Sequence, residues 1–467
     1  MSQDVSVGVI AKLSESVGTN EPALRLLLTV LAGYPLALVH RKFVYNKPPA
    51  VQHLFSIICG FLLGFWNYGW DIFHTVFAIT VTYAVLLVVG GTALSVALVF
   101  IFNMTYLLLG YYYMGTDTYD INWTMPQCIL VLRLIGIGFD LYDGHRPPET
   151  LSGENKKVAL ERCPTVLEFF GHTLFPASFM VGPQFPMKRY QDFVAGKFGE
   201  GGEAPDSVKA AVTRFGLGLL YLGIFQVLGL VVSDEYIYSE EFGQLGFFRK
   251  MVLMGIWGRF TLYKYISCWL LTEGACILFG LAHNGKDENG VVLWTGVENV
   301  KLSTFENTTE FTHYILSFNI NTNQWSGQYI YKRLKFLGNR LVSQFATLLF
   351  LAVWHGFHSG YYVCFFFEFM VVYMERDVKT IVNSNSQLRE FFANPTVTLV
   401  VNLLLRIYTF VLMGWCLMPF ALLKFDRYWA GFSAANHVGS ILFLVWPIVY
   451  SPIVKTLFPK DRKSRSE

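Results

Sequence analysis

The segment Gln344–Met370 reads QFATLLFLAVWHGFHSGYYVCFFFEFM. It is almost wholly apolar, yet His355 and His358 sit near its middle. A run this long and this apolar is a candidate membrane span. An imidazole in hydrocarbon costs free energy unless it is partnered or faces a wet cavity. It is also the side chain whose unperturbed pKa suits proton transfer near neutrality. The two histidines therefore mark either a site of proton transfer or polar groups that glue membrane helices together.

The rest of the chain agrees with a lipid solvent. Of 467 residues, 53% are hydrophobic and 15% charged, against about 25% charged in ordinary soluble domains, and mean hydropathy is +0.42. In a bilayer only helices and closed barrels satisfy the backbone. The apolar runs here are continuous rather than alternating, so helices are expected. A net charge of +3 gives no argument for a nucleic-acid partner. The seven cysteines are scattered and form no CxxC pair, so neither a disulfide scaffold nor a cysteine-rich zinc site is indicated. The first eighteen residues lack a basic segment followed by an apolar core, so no cleaved signal peptide is expected.

Apolar runs fall at 23–39, 51–68, 72–90, 91–114, 126–141, 212–232, 246–282, 341–374, 396–423 and 436–456. The expected fold is an all-α polytopic membrane bundle of about ten or eleven spans, forming one domain over 1–467. Run 166–182 contains Pro176 and reads as re-entrant. In 317–339 the spacing of Phe318, Trp325, Tyr329, Leu334 and Leu337 predicts an amphipathic, interfacial helical region. Lys332, Arg333, Lys335 and Arg340 add a basic patch for lipid headgroups or a phosphate-rich ligand. Basic clusters after the first run, at 146–162 and in the tail (Lys455, Lys460, Arg462, Lys463, Arg465) predict a cytosolic side. The sequon at Asn122 then falls in the lumen, and the one at Asn307 on the cytosolic side. No internal repeat is visible, which argues against a transporter built on inverted repeats.

Chemistry narrows by elimination. HGFH offers no carboxylate between its histidines, so the HExxH metal motif is absent and no metal is expected. On one continuous helix His355 and His358 would share a face. Glu368 would then lie roughly 20 Å from His355, at about 1.5 Å per residue. There is no G-x-S-x-G elbow, no His-x4-Asp pattern and no Asp-His-His-Cys run. What remains is a buried histidine that needs a polar partner. The stretch with Asn319, Asn321 and Asn323 is the best source, because an amide both donates and accepts. Helix caps and turns are the competing explanation for these asparagines.

The pair FNINTNQW (318–325) and LFLAVWHGFHSGYY (349–362) resembles the membrane-bound O-acyltransferase family, in which an asparagine precedes a buried histidine by some three dozen residues. That spacing selects Asn319. GFDLYDG (138–144), FPASFMVGPQFPMKRY (175–190) and NTNQWSGQYIYKRLKFLGN (321–339) are similar to its lysophosphatidylcholine acyltransferase branch. The resemblance implies a multi-pass enzyme of the endoplasmic reticulum whose helices enclose a reaction chamber. It would move a fatty acyl group from acyl-CoA to the sn-2 hydroxyl of a lysophospholipid, with acyl-CoA as co-substrate and no further cofactor. His355 would be the general base, and Asn319 would position the hydroxyl or the oxyanion. Trp354, His358 and Asn323 would line the substrate site. Lys332, Arg333 and Lys335 would face the CoA phosphates. Asp140 and Asp143 would meet the lysolipid headgroup, or form salt bridges with Arg133 or Arg146. Ser178, Gly182 and Pro183 would shape the chamber wall. The last residues lack a double lysine, so the organelle rests on the resemblance. Other acceptors within the family (a sterol, diacylglycerol or a protein) share the same His–Asn pair, and the oligomeric state, a homodimer included, is left open.

Overall fold

The computed structural model describes residues 8–16, 18–116, 121–199 and 203–461. They form helices and turns, with no extended strand among the described residues. The tail cations Arg462, Lys463 and Arg465 lie outside them. The helices used below are α1 (Glu21–Val39), α2 (Pro49–Tyr68), α3 (Ile72–Val89), α4 (Ala93–Met114), α5 (Thr124–Gly144), α6 (Val166–Thr173), α7 (Val208–Gly229), α8 (Phe247–Phe279), α9 (Phe311–Ser317), α10 (Ile320–Ser326), α11 (Arg340–His355), α12 (Ser359–Ser384) and α13 (Pro395–Leu422).

Among the described residues seven stretches are long and apolar enough to cross a membrane. The expectation was ten or eleven spans. One stretch, Pro49–Val89, holds both α2 and α3. Run 246–282 forms the single 33-residue helix α8, but Arg249, Lys250, Arg259, Lys264 and Glu273 break its apolar character. The run 341–374 is not one helix. It stops at His355 and restarts at Ser359.

Contacts divide the chain into two compact units. Unit 1 comprises Met1–Leu222, Tyr265–Val300 and Ile320–Arg333, and unit 2 comprises Gly223–Lys264, Lys301–Asn319 and Leu334–Glu467. In unit 1, α5 is the buried axis: Leu130, Val131, Leu132, Leu134, Ile135 and Ile137 are essentially inaccessible. Its neighbours α3 and α4 bury one side and present Leu87, Val88, Leu98 and Ile101 outward, as lipid-facing helices do. Arg133, 1% exposed, explains the broken run 166–182. Helix α6 ends at Thr173, and the turns that follow leave carbonyls that need donors. The guanidinium donates to the carbonyls of His172 (3.0 Å), Thr173 (3.3 Å), Ser178 (3.0 Å) and Pro183 (3.2 Å), to Ser178 Oγ (2.6 Å) and to Gln184 Oε1 (3.2 Å). Arg133 is thus a clamp for this loop and not a partner of Asp140 or Asp143.

The segment 317–339 is only partly interfacial in character. Trp325 and Tyr329 are buried, and the Trp325 indole donates to the Leu132 carbonyl of α5 at 2.9 Å. Phe336 and Leu337 are exposed. A buried indole needs an acceptor, and α5 supplies it, so half of the aromatic face packs inward.

In unit 2, α8 and α13 cross with their backbones touching. A Cβ on Gly258 would stand 2.3 Å from the Cα of Gly414. Helix α12 begins against the end of α13: the Gly360 amide donates to the Leu423 carbonyl at 3.1 Å. A Cβ at Gly360 would lie 1.9 Å from the Pro419 carbonyl oxygen.

Candidate active site

In unit 2, His355 is the last residue of α11, a helix capped by Asn339, whose Oδ1 accepts from the amides of Leu341 and Val342. Gly356 ends it at φ +122°, a conformation that favours glycine. His358 then caps α12. His355 and His358 therefore flank a bend and do not share a helical face. The 20 Å separation of His355 from Glu368 along one continuous helix does not apply either, because α12 starts anew and packs against α11. Two glycines bracketing the bend, Gly356 and Gly360, were the sequence signal for this break.

The imidazole is half-buried. Its Nδ1 lies 2.7 Å from the Leu351 carbonyl. A carbonyl only accepts, so Nδ1 carries a proton, and in the neutral ring the lone pair is on Nε2. The ring is held by Trp354 (centroids 4.6 Å), Tyr361 (5.4 Å), Phe365 (5.2 Å) and Phe420 (5.2 Å). Trp354 is buried and His358 half-buried, with its ring 5.9 Å from that of Tyr361. The arrangement holds a half-buried imidazole in one orientation between aromatic rings.

Asn319 also belongs to unit 2, at the end of the segment Lys301–Asn319. It is half-buried and sits at φ +50°, which asparagine tolerates better than most residues. Its position follows from α9. That helix is tied to its unit by Tyr314, whose hydroxyl donates to the Thr409 carbonyl (3.3 Å), and the turn before it by Thr409 Oγ1, which donates to the Thr308 carbonyl (2.9 Å). Arg259 Nη1 adds a bond to the Phe305 carbonyl at 3.0 Å. Lys335, exposed, is also in unit 2.

Asp140, Asp143, Asn323, Lys332 and Arg333 belong to unit 1. Asp143 is fully buried and accepts two bonds from Arg333, one at 2.9 Å. Arg333 also stacks over Phe139, its guanidinium 4.9 Å from the ring. Asp140 accepts from the Tyr329 hydroxyl at 2.6 Å. Lys332 pairs with Glu154 at the surface. The partners of the two aspartates are thus Arg333 and Tyr329, rather than Arg133 or Arg146. The cations Lys332 and Arg333 are held by carboxylates of their own unit. A cleft of about 80 Å³ in unit 1 is lined by Arg133, Asp140, Gln184, Asn321, Gln328 and Tyr329, among others. Asn321 is committed to scaffolding. Its amide donates to the Val297 and Glu298 carbonyls at 3.2 and 3.0 Å, and its backbone N–H donates to Asn299 Oδ1 at 2.9 Å. Asn323 is half-buried on α10. Sequence reasoning missed Tyr361, Phe365 and Phe420, which read there as ordinary members of an apolar run.

Comparison with known proteins adds the following. The model of the membrane-bound O-acyltransferase family matches residues 108–417. The chain is 45% identical over 465 residues to lysophospholipid acyltransferase 5 of Drosophila melanogaster, covering 98% of this chain and 93% of that protein. It is 39% identical over 453 residues to lysophospholipid acyltransferase 5 of Homo sapiens, covering 97% and 93%. Membrane-bound glycerophospholipid O-acyltransferase 2 of Mus musculus is more distant, at 24% over 436 residues, covering 88% and 81%.

Proposed function

Because the chain belongs to the membrane-bound O-acyltransferase family, we propose that it is a lysophospholipid acyltransferase of the endoplasmic reticulum membrane, moving a fatty acyl group from acyl-CoA to the free sn-2 hydroxyl of a lysophospholipid, lysophosphatidylcholine first among acceptors. The relatives' names support the acceptor class. The observation that supports the mechanism is the 2.7 Å contact of His355 Nδ1 with the Leu351 carbonyl: with Nδ1–H spent there, Nε2 of the neutral ring is the lone pair available to a hydroxyl.

In this mechanism Nε2 takes the hydroxyl proton as the oxygen attacks the thioester carbonyl carbon. Asn319 steadies the hydroxyl or the tetrahedral oxyanion without adding charge to a low-dielectric site. The C–S bond then breaks, and the proton passes from the imidazolium to the departing thiolate. A thioester is already activated, so no covalent enzyme intermediate and no further cofactor is needed. Trp354 and the rings around His355 keep its plane fixed and exclude water, which would hydrolyse the thioester.

The test uses purified protein with an unsaturated acyl-CoA and lysophosphatidylcholine, followed by product formation and free CoA thiol. His355→Ala should lose about 10²- to 10⁴-fold in kcat with an unchanged size-exclusion profile. Full turnover in that variant would move the base elsewhere. Activity with a different lysolipid, and none with lysophosphatidylcholine, would correct the acceptor and leave the reaction class standing.

A further inference from the structure

We propose that Glu375 is a positioning residue for acyl transfer, acting through Asn319 by anchoring α9 to α12. The inference rests on the role given to Asn319 above.

Helix α9 starts at Phe311 and ends two residues before Asn319. The first amides of a helix have no partner within it. A side chain of the cap residue can satisfy one of them, but here Glu310 makes no such bond. The Phe311 N–H instead donates to Glu375 Oε1 at 2.9 Å, from a residue 64 positions away. The same oxygen accepts from the Tyr408 hydroxyl of α13 at 3.1 Å. A local cap would satisfy the amide equally well but would fix α9 against nothing. A cap borrowed from α12 fixes it against the helix whose Tyr361 and Phe365 hold the His355 ring. One helix thus references both members of the reacting pair, and all of these residues lie in unit 2.

Two further features point the same way. Oε2 of Glu375 is buried and has no hydrogen-bond partner among the described residues. An unsatisfied buried oxygen costs stability, so stability by itself does not account for a carboxyl group here. Beside it Lys379, also on α12, pairs with Glu310, and His313 stands 3.3 Å from the same carboxylate. The start of α9 is therefore held to α12 at consecutive residues, 310 and 311. No atom of Glu375 is assigned to the chemistry itself.

The experiment measures kcat and KM for acyl-CoA and lysophosphatidylcholine in Glu375→Ala, Glu375→Gln and Glu375→Asp, each in the wild-type and Asn319→Ala backgrounds. Thermal unfolding is followed in parallel. Glu375→Ala should lower kcat about 10- to 100-fold, the scale of a small misplacement of a catalytic group, with both KM values little changed. Glu375→Gln, whose amide oxygen accepts the same two bonds, should restore most of kcat. Glu375→Asp keeps the acid but falls one methylene short, so it should lose kcat even where the alanine variant fails to fold. In the Asn319→Ala background the Glu375 substitutions should change kcat little further, because residues acting as a unit are non-additive. Multiplicative losses, or loss of melting temperature with kcat retained, would overturn the proposal. If Asn319→Ala by itself leaves kcat intact, the fault lies in the role given to Asn319, a distinct failure visible in that single variant.

Discussion

Arg333 offers the sharpest test of how charge is used in this protein. Its guanidinium can serve a CoA phosphate or the Asp143 carboxylate, and the structure gives it to Asp143. The Asp143 side chain is 0% exposed and that of Arg333 20%. At the 2.9 Å separation of the longer bond, the gross attraction is about 6 kcal/mol at an effective dielectric of about 20. Desolvation offsets most of that, so the pair adds little net stability. Removing one partner is different, because it strands a buried charge at a cost of about 3–5 kcal/mol. At an unfolding entropy of about 2.1 cal/mol/K per residue, a 467-residue chain unfolding as a whole would lose about 3–5 °C in Tm upon Arg333→Ala. The loss grows if unit 1 melts by itself. Arg333→Met with Asp143→Asn removes the stranded charge and should recover most of the loss. The assay is thermal unfolding of the detergent-solubilised protein, read by a thiol-reactive dye as buried cysteines such as Cys276 and Cys416 become exposed. The reasoning fails if Arg333→Ala melts with the wild type while KM for acyl-CoA rises several-fold. The guanidinium would then serve the co-substrate and Asp143 would not depend on it.

Other expectations follow from the same geometry. Arg133→Lys should destabilise unit 1 by about 3 kcal/mol or more, since one ammonium cannot satisfy six acceptors; a Tm within about 1 °C of wild type would dismiss the clamp. Asn321→Ala should cost about 1–3 kcal/mol by freeing the Val297 and Glu298 carbonyls, while kcat per folded molecule stays near wild type; a selective loss of kcat would give Asn321 a catalytic part. Gly258→Ala should separate α8 from α13 and abolish stable folding, because backbone cannot yield as a side chain can; normal size-exclusion behaviour would refute the contact.

Much of the fold is legible in the sequence. The membrane setting follows from composition, because lipid leaves the backbone few choices. His355 stands out because an imidazole is costly in an apolar run, whereas the choice of Asn319 among three asparagines rests on the family resemblance and not on the spacing by itself. The bend at Gly356 is less legible in the sequence. The residues on both sides are equally apolar, so hydropathy runs through it unbroken, and only the glycines mark it.

Sequence alone determined that the chain is built of lipid-compatible helices and that two histidines lie within an apolar run, because hydropathy and the cost of a buried imidazole are local properties. It did not determine the number of spans, about ten or eleven expected against seven apolar stretches among the described residues. Tertiary structure decided the partners of the polar groups. Arg333 finds Asp143 across 190 positions and Lys332 finds Glu154 across 178. Glu375 caps a helix 64 positions away, and Arg133 turns to carbonyls rather than to an aspartate. In a low-dielectric interior a charge pairs with whatever the fold brings within hydrogen-bond reach, and distance along the chain carries no record of that choice.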